Sequence, residues 1–555
     1  MQYIMQFNEL YPLSSSSLGI AAREGNENAV KIFLRSGQRV DIGDNRGWTP
    51  LHEATAANNI RCLHLLLQKG QQYVNQRTME GETPLLLACK FQDSTELVQM
   101  LLDCGADVNL GDNENHTPLH EACRNGRLSV AKILVAAGAN VNEMNYNSCT
   151  PLHCAVSSFE TNATLVKYLI SKGADVSIQD ECGRTSLFLA SELQRWNMIK
   201  HMETALCPVD TRSVDGATAL MVAAQSGNLK VVEELLKRGA NPDLAAHDFT
   251  MALHLAIHSG HLSVVKLLLK VTSRNAVLAH CTHPKAKTGR SLCCLAIDGE
   301  YLDVLKLLLS SDLGNYILHL PVHCDGSLLE NKPHLGVLYS ECSPVSFLLL
   351  TKLNDLKDDI LIYLEVLLNH GFPVNVKDKQ SLPPLVAVML QPGCDHLISC
   401  CVDMLLAHGA DIEYTTICKM VPDPLLAACI SGNSSGVLQL LRVGSSGLPD
   451  DLLRYLITHG HLDSSPHMIN MVRLLLELGV TEPALYSRLQ QYFPEASSDI
   501  QIKATAAFLA SLQVCSLQKL CRIAVRRLFG HLLIPAMEQL PVPHCLKNYL
   551  TYKTL

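Results

Sequence analysis

Thr-Pro-Leu-His, or a close variant, returns along this chain at an almost constant interval, and that interval limits the fold more than any other feature. Taking the position of its first residue, the series runs Ser16, Thr49, Thr83, Thr117, Thr150, Thr185, Thr218, Met251, with steps of 33 to 35 residues. A period of that length is the signature of a stacked repeat, not of a single closed core. Looser starts follow at Ser291, Ser343, Pro383 and Asp423, spaced 40 to 52 residues apart, so the extra residues are expected in loops. Each unit has a readable grammar. Thr49 suits a helix N-cap and Pro50 the first helical position, with Leu51 and Ala54 facing inward. Asn125-Gly126 makes a turn, and Val130, Ile133, Leu134 and Val135 form a second helix that stops at Gly138. Ala139-Asn140-Val141-Asn142 then leads into a projecting Asx- and Gly-rich turn. One such helix pair cannot bury both its faces, so neighbours must stack.

Thr117-Pro118-Leu119-His120 and Gly105-Ala106-Asp107-Val108-Asn109 resemble the motifs of ankyrin repeats. The resemblance covers about 15 to 480 and is strongest up to Leu269, with insertions at 271–290 and 310–342 that interrupt the period. Thr185-Ser186-Leu187-Phe188 lacks the proline, and His201 to Arg212 lacks the Gly-Ala-Asp end. A last helix pair is expected around Asp451 to Leu478. A loop with Pro494 falls in the linker 481–510, and a linking helix from Ile500 to Leu512 runs from it into the tail.

The tail, 511–555, has a different pattern. Leu517, Leu520, Cys521, Ala524, Val525 and Leu528 recur at helical spacings of three and four, leaving Arg522, Arg526 and Arg527 off the apolar face. Leu540-Pro541-Val542-Pro543 forbids helix and holds an extended segment, after which Leu546, Tyr549 and Leu550 add a small apolar face. Leu517-x-x-x-Cys521-x-x-x-Val525 is similar to an elongin C-binding box, and Leu540-Pro541-Val542-Pro543 to a cullin-contacting box in the same order; together they resemble a SOCS box. The whole is thus expected to be all-α: an ankyrin solenoid of about 12 helix-pair repeats behind a short N-terminal segment, 1–14, and followed by a three-helix SOCS box.

An ankyrin array ending in such a box resembles the ankyrin repeat and SOCS box family, its third member most of all. The resemblance implies a non-catalytic substrate receptor of a ubiquitin ligase. Leu517, Leu520, Cys521 and Val525 would bind elongin C of the elongin B/C pair; Leu540, Pro541, Val542 and Pro543 would bind a cullin of the fifth class with its RING protein; and the array would hold a protein for ubiquitination and proteasomal degradation. The competing reading is an ankyrin scaffold whose last helix only caps the array. For cargo, Trp48 in a projecting turn, with Arg46 beside it, is the expected hot spot, whereas Trp196 is expected in the core. Asn109 and Asn142 resemble asparagines hydroxylated in other ankyrin arrays, which a mass shift of one oxygen would reveal.

Composition narrows the alternatives. A net charge of −8 argues against a general nucleic-acid binder, although 511–555 carries a local balance of +5. The 21 cysteines are scattered through apolar runs, with none spaced Cys-x-x-Cys, and His280, Cys281 and His283 lack the spacing of a zinc site, so neither metal nor cofactor is expected. No secretory signal or membrane-spanning run is read, so a reducing cytoplasmic or also nuclear location is expected, without membrane insertion. Gly432-Asn433-Ser434-Ser435-Gly436 matches a hydrolase elbow, but the helix expected just before it is the wrong element for that turn. His52-Glu53 and His120-Glu121 begin a zincin-like pattern whose second histidine is missing, with Ala56 and Arg124 in its place. Both histidines are expected to hydrogen-bond at a helix start.

Overall fold

The computed structural model describes residues 16–160, 162–202, 208–281, 291–314, 322–323, 341–375, 381–391, 395–412, 424–431, 433, 436–437 and 439–440. The chain divides into two compact units, Met1–Ser273 and Arg274–Leu555.

In the first unit the repeat grammar is realised as eight consecutive helix pairs, from Ser17–Arg23 with Glu27–Arg35 to Ala252–His258 with Leu262–Val271. The first helix of each pair starts where the motif starts. Thr83 and Thr185 accept from the backbone N–H of Leu86 and Phe188, each at 3.2 Å, and proline occupies the first position of the helices Pro50–Ala56, Pro84–Phe91, Pro118–Arg124 and Pro151–Ser157. Second helices bury a narrower stripe. In Leu128–Ala136 it is Val130, Ala131 and Leu134, all fully buried, while Ile133 and Val135 are only half-buried. Each such leucine contributes about 1.5–3 kcal/mol when it leaves water.

The motif histidine joins neighbouring repeats. Thr49 donates its backbone N–H to His52 Nδ1 at 3.1 Å, which makes that nitrogen an acceptor and puts the ring proton on Nε2. From there it donates to Gln76 O at 3.0 Å and Glu82 O at 3.2 Å in the next unit. His120 repeats this with Thr117 and Cys149 O at 3.0 Å, and His153 with Thr150 and Arg184 O at 3.3 Å. Burial pushes His52 and His120 down to about 4, and His153 down as well, so the three rings are neutral.

A second ladder runs through the loops between pairs. Asn75, Asn109 and Asn142 donate Nδ2 to Gly105, Gly138 and Gly173 O, and their Oδ1 atoms accept from Asp107, Asn140 and Asp175 N at 2.8 Å. These asparagines, two of them the expected hydroxylation positions, are therefore bridging groups between repeats.

The second unit continues the pattern with helices Leu292–Asp298 and Leu302–Ser310, Pro344–Thr351 and Ile360–Asn369, and Pro384–Met389 and Asp395–Ala407, then Pro424–Ser431. Three two-residue strands accompany them: β1 (Val322–His323) pairs antiparallel with β2 (Glu341–Cys342), which pairs parallel with β3 (Ser381–Leu382). The helical class holds, with this small ribbon added. The expectation of plain loops in both insertions is corrected. Arg274–Cys281 is a helix, free of the Gly and Pro that would break it, and the insertion 310–342 closes in β2. Trp196 is corrected too. It occupies the first turn of Trp196–His201, half-buried, while Met198 and Ile199 fill the core; Lys200 and Lys230 lie 5.6 and 5.8 Å from its ring centre.

The expected pair at 451–478, the linker and the whole tail, with Leu517, Leu520, Cys521, Val525 and Leu540 to Pro543, lie outside the described residues.

Candidate functional site

Between helix pairs of the first unit the chain makes a tight finger of five residues, and the fingers are alike in backbone. Asp44, Asp112, Asn145 and Asp180 each use a side-chain oxygen to accept the N–H groups two and four residues on, at 2.8 to 3.1 Å. The fourth finger residue is always left-handed: Gly47, Gly81, Asn115, Ser148, Gly183, Gly216 and Phe249. Adjacent fingers are stitched together. Met79, Asn113, Tyr146, Glu181, Val214 and His247 donate their N–H to Arg46, Glu80, Glu114, Asn147, Cys182 and Asp215 O, at 2.9 to 3.1 Å. The result is one continuous ribbon of fingertips from Asp44 to Thr250.

The second residue of each finger points outward. Met79 is 71%, Tyr146 76% and Val214 65% exposed, an apolar group on every second finger. Arg46 and Trp48 sit on the first finger in a more enclosed setting than a projecting hot spot. Trp48 is half-buried, and the Arg46 guanidinium lies 4.3 Å over its ring. Arg46 also pairs with Asp44 Oδ2 at 2.7 Å and Glu53 Oε1 at 3.1 Å, both acids almost fully buried.

A groove of about 590 Å³ opens over the fourth to sixth repeats of the same unit. Leu189, Leu193 and Cys154 supply apolar wall, and burial pushes the Cys154 thiol up to about 12, so it is no nucleophile. Three arginines line the groove. Arg124 is held by Glu121 at 3.1 Å and Arg184 by Asp180 at 2.9 Å and Glu192 at 3.7 Å. Arg195 differs: its Nη1 is sealed from solvent and has no hydrogen-bond partner among the described residues. Phe159 stands at the rim, 101% exposed, between the helices Pro151–Ser157 and Ala163–Ser171.

Sequence reasoning named Arg46 and Trp48 and did not point to the groove or the exposed fingertips. A signal was present: the step from Thr150 to Thr185 is 35 residues, and its two extra residues lengthen the turn that carries Phe159. The hydrolase-like stretch is preceded by the helix Pro424–Ser431, and its Asn433 is buried, accepting from Gly436 N at 2.8 Å; Ser434 lies outside the described residues. Among the described residues no group of His, Cys, Asp or Glu has the arrangement of a metal site, and no helix is long and apolar enough to cross a membrane.

Comparison with known proteins accords with both parts of the chain. The family Ankyrin repeats (3 copies) matches residues 18–112, 85–180 and 152–246, Ankyrin repeat matches 251–277, and SOCS box matches 513–551. By domain content, then, the chain carries ankyrin repeats and a SOCS box. It is 42% identical over 117 residues to Ankyrin repeat and SOCS box protein 3 of Homo sapiens, and 40% identical over 117 residues to that of Bos taurus. Each match takes in 21% of this chain and 22% of the relative, so the aligned part spans about a fifth of the relatives' length. A crystal structure of the human ASB11 ankyrin repeat domain, 29% identical, covers 41% of this chain and 99% of its own, with a TM-score of 0.37.

Proposed function

We propose that the chain is the substrate-recognition subunit of a SOCS-box ubiquitin ligase. Its tail recruits elongins B and C through Leu517, Leu520, Cys521 and Val525, and a cullin of the fifth class with its RING protein through Leu540, Pro541, Val542 and Pro543. The ankyrin surface captures a protein and holds it for ubiquitin transfer and degradation by the proteasome. The chain itself does no chemistry: it contributes position, and the partners contribute catalysis. It works in the cytoplasm, and in the nucleus where its cargo is there.

The observation that carries this reading is the SOCS box match at 513–551 on the same chain as a stitched ankyrin array. A receptor must keep its cargo at a fixed reach, and a ribbon in which every finger is bonded to the next changes shape little on binding. Arg46 and Trp48 belong to this capture surface as a preformed pair, their geometry already fixed by Asp44 and Glu53.

Two double variants test the reading. Leu517→Ala with Cys521→Ala should weaken elongin capture at least tenfold, as expected for losing roughly 1.5–3 kcal/mol of buried leucine side chain. Leu540→Ala with Pro541→Ala should leave elongin bound and reduce cullin recruitment. Unchanged elongin affinity in the first variant would refute the assignment, and loss of both partners in the second would mean that the two boxes do not act separately.

A further inference from the structure

We infer that the second helices of the fourth to eighth repeats form a docking row for an acidic protein segment, which crosses them in an extended, polyproline-like form with one carboxylate at every third residue. This surface is separate from the fingers and the groove, and the inference does not rest on the ligase reading.

The row follows from the repeat itself. The fifth residues of the helices Leu128–Ala136, Ala163–Ser171, Trp196–His201, Leu229–Lys237 and Leu262–Val271 are Lys132, Lys167, Lys200, Glu233 and Lys266. All five are exposed. In the one helix that breaks the series, Lys230 and Lys237 stand three residues before Glu233 and four after it, on the same face. Glu234 is the other acid in these five helices, and Arg238 holds it at 3.2 Å. No lysine of the row forms an ion pair among the described residues. Acids of the same unit collect instead on the fingers, at Glu80, Glu114, Glu181, Asp215 and Asp248. Charge is therefore sorted between two kinds of element in a chain whose net charge is −8.

Two aromatic rings tie the row together. Lys132 and Lys172 lie 5.9 and 5.8 Å from the ring centre of Tyr168, as Lys200 and Lys230 lie 5.6 and 5.8 Å from that of Trp196. Lys132 and Lys230 each reach a ring in the neighbouring repeat, so these lysines share one surface. At such distances the ring face attracts the ammonium group. Side chains already held in place lose less freedom when a partner binds.

Spacing selects the partner. Packed helices lie roughly 8–10 Å apart, so the row offers about one positive charge in each such step. A polyproline II segment advances about 9 Å per turn of three residues, so an acid at every third position presents one carboxylate per step along one side. Duplex nucleic acid carries a charge about every 1.7 Å of its axis, several times denser than the row. An anionic bilayer would be gripped by apolar side chains inserted beside the lysines. The large apolar residues exposed on these helices are Leu262 and Val271, at the two ends of the last one.

The test is a polarisation titration of the full chain, at low ionic strength, with a labelled peptide of five Glu-Pro-Pro units. A second peptide of the same composition has its five acids in one block. The spaced peptide should bind at least fivefold more tightly than the blocked one, and its affinity should fall with added salt. Lys167→Glu with Lys200→Glu should weaken it at least tenfold. Glu233→Lys completes the row and should strengthen binding severalfold, a gain that misfolding cannot produce. Equal affinity for the two peptides, no binding of the spaced one, or a Glu233→Lys variant that binds no better would overturn the proposal. So would phosphatidylserine vesicles or duplex DNA bound more tightly than the spaced peptide and weakened by the same lysine substitutions, since the row would then serve another class of partner.

Discussion

Acidifying the protein from pH 7.5 to pH 5 should loosen the repeats that begin with a buried histidine before it loosens their neighbour without one. His52 and His120 are neutral in the fold, with pKa values pushed from 6.5 to about 4 by burial. The unfolded repeat therefore binds a proton between those values while the folded one does not. By linkage, the contribution to stability is fully present above about pH 6.5 and is lost as pH falls toward 4. At pH 5 the difference is about 2 kcal/mol for each histidine, equivalent to roughly a 30-fold increase in local opening. The chain contains its own control. The helix Pro84–Phe91 starts with Thr83 and carries Leu86 at the histidine position, capped by Thr83 without any titrating ring. Hydrogen exchange read by mass spectrometry, corrected for the intrinsic effect of pH, should show protection falling in 50–56 and 118–124 and much less in 84–91. Equal loss in all three helices, or none in the first two, would refute the assignment of neutral, buried rings.

The remaining predictions concern the fingers and the bridges. Gly183 has φ +73°, and a Cβ there would lie 2.9 Å from Val214 N on the next finger, so Gly183→Ala should cost at least about 1 kcal/mol in urea unfolding. Ser148 holds the same left-handed position with φ +57°, so Ser148→Gly should raise stability by up to about 1 kcal/mol, and a decrease would mean that its hydroxyl has a role the strain argument ignores. Asn109→Ala removes two bonds to the following repeat and should lower stability by about 0.5–1.5 kcal/mol, with the exchange increase centred on 138–142.

Much of the array could be read from residues alone because its constraints are local. Thr-Pro fixes a helix start, Gly-Ala fixes a stop, and a constant step between them leaves stacking as the remaining solution. The histidines were legible for the same reason, since His52 sits three residues after Thr49, where its ring can reach the Thr49 N–H. What was not legible depended on the third dimension. Arg46 and Trp48 read as a projecting pair, but Asp44 and Glu53 draw the guanidinium down over the indole. Trp196 read as core because it lies where the second helix of its repeat is expected to pack inward, yet at the first turn of that helix the inward positions belong to Met198 and Ile199. The helix Arg274–Cys281 was hidden because a break in the period says where extra residues lie and nothing of how they fold.

The central claim is that array and tail make one receptor, and the most direct test is to co-express the full chain with elongins B and C. Native mass and size-exclusion chromatography should give a ternary complex with one copy of each protein, lost on Leu517→Ala with Cys521→Ala while the ankyrin array stays folded. A folded chain that elutes free of both elongins would contradict the ligase reading and leave a scaffold whose last helix serves the array alone.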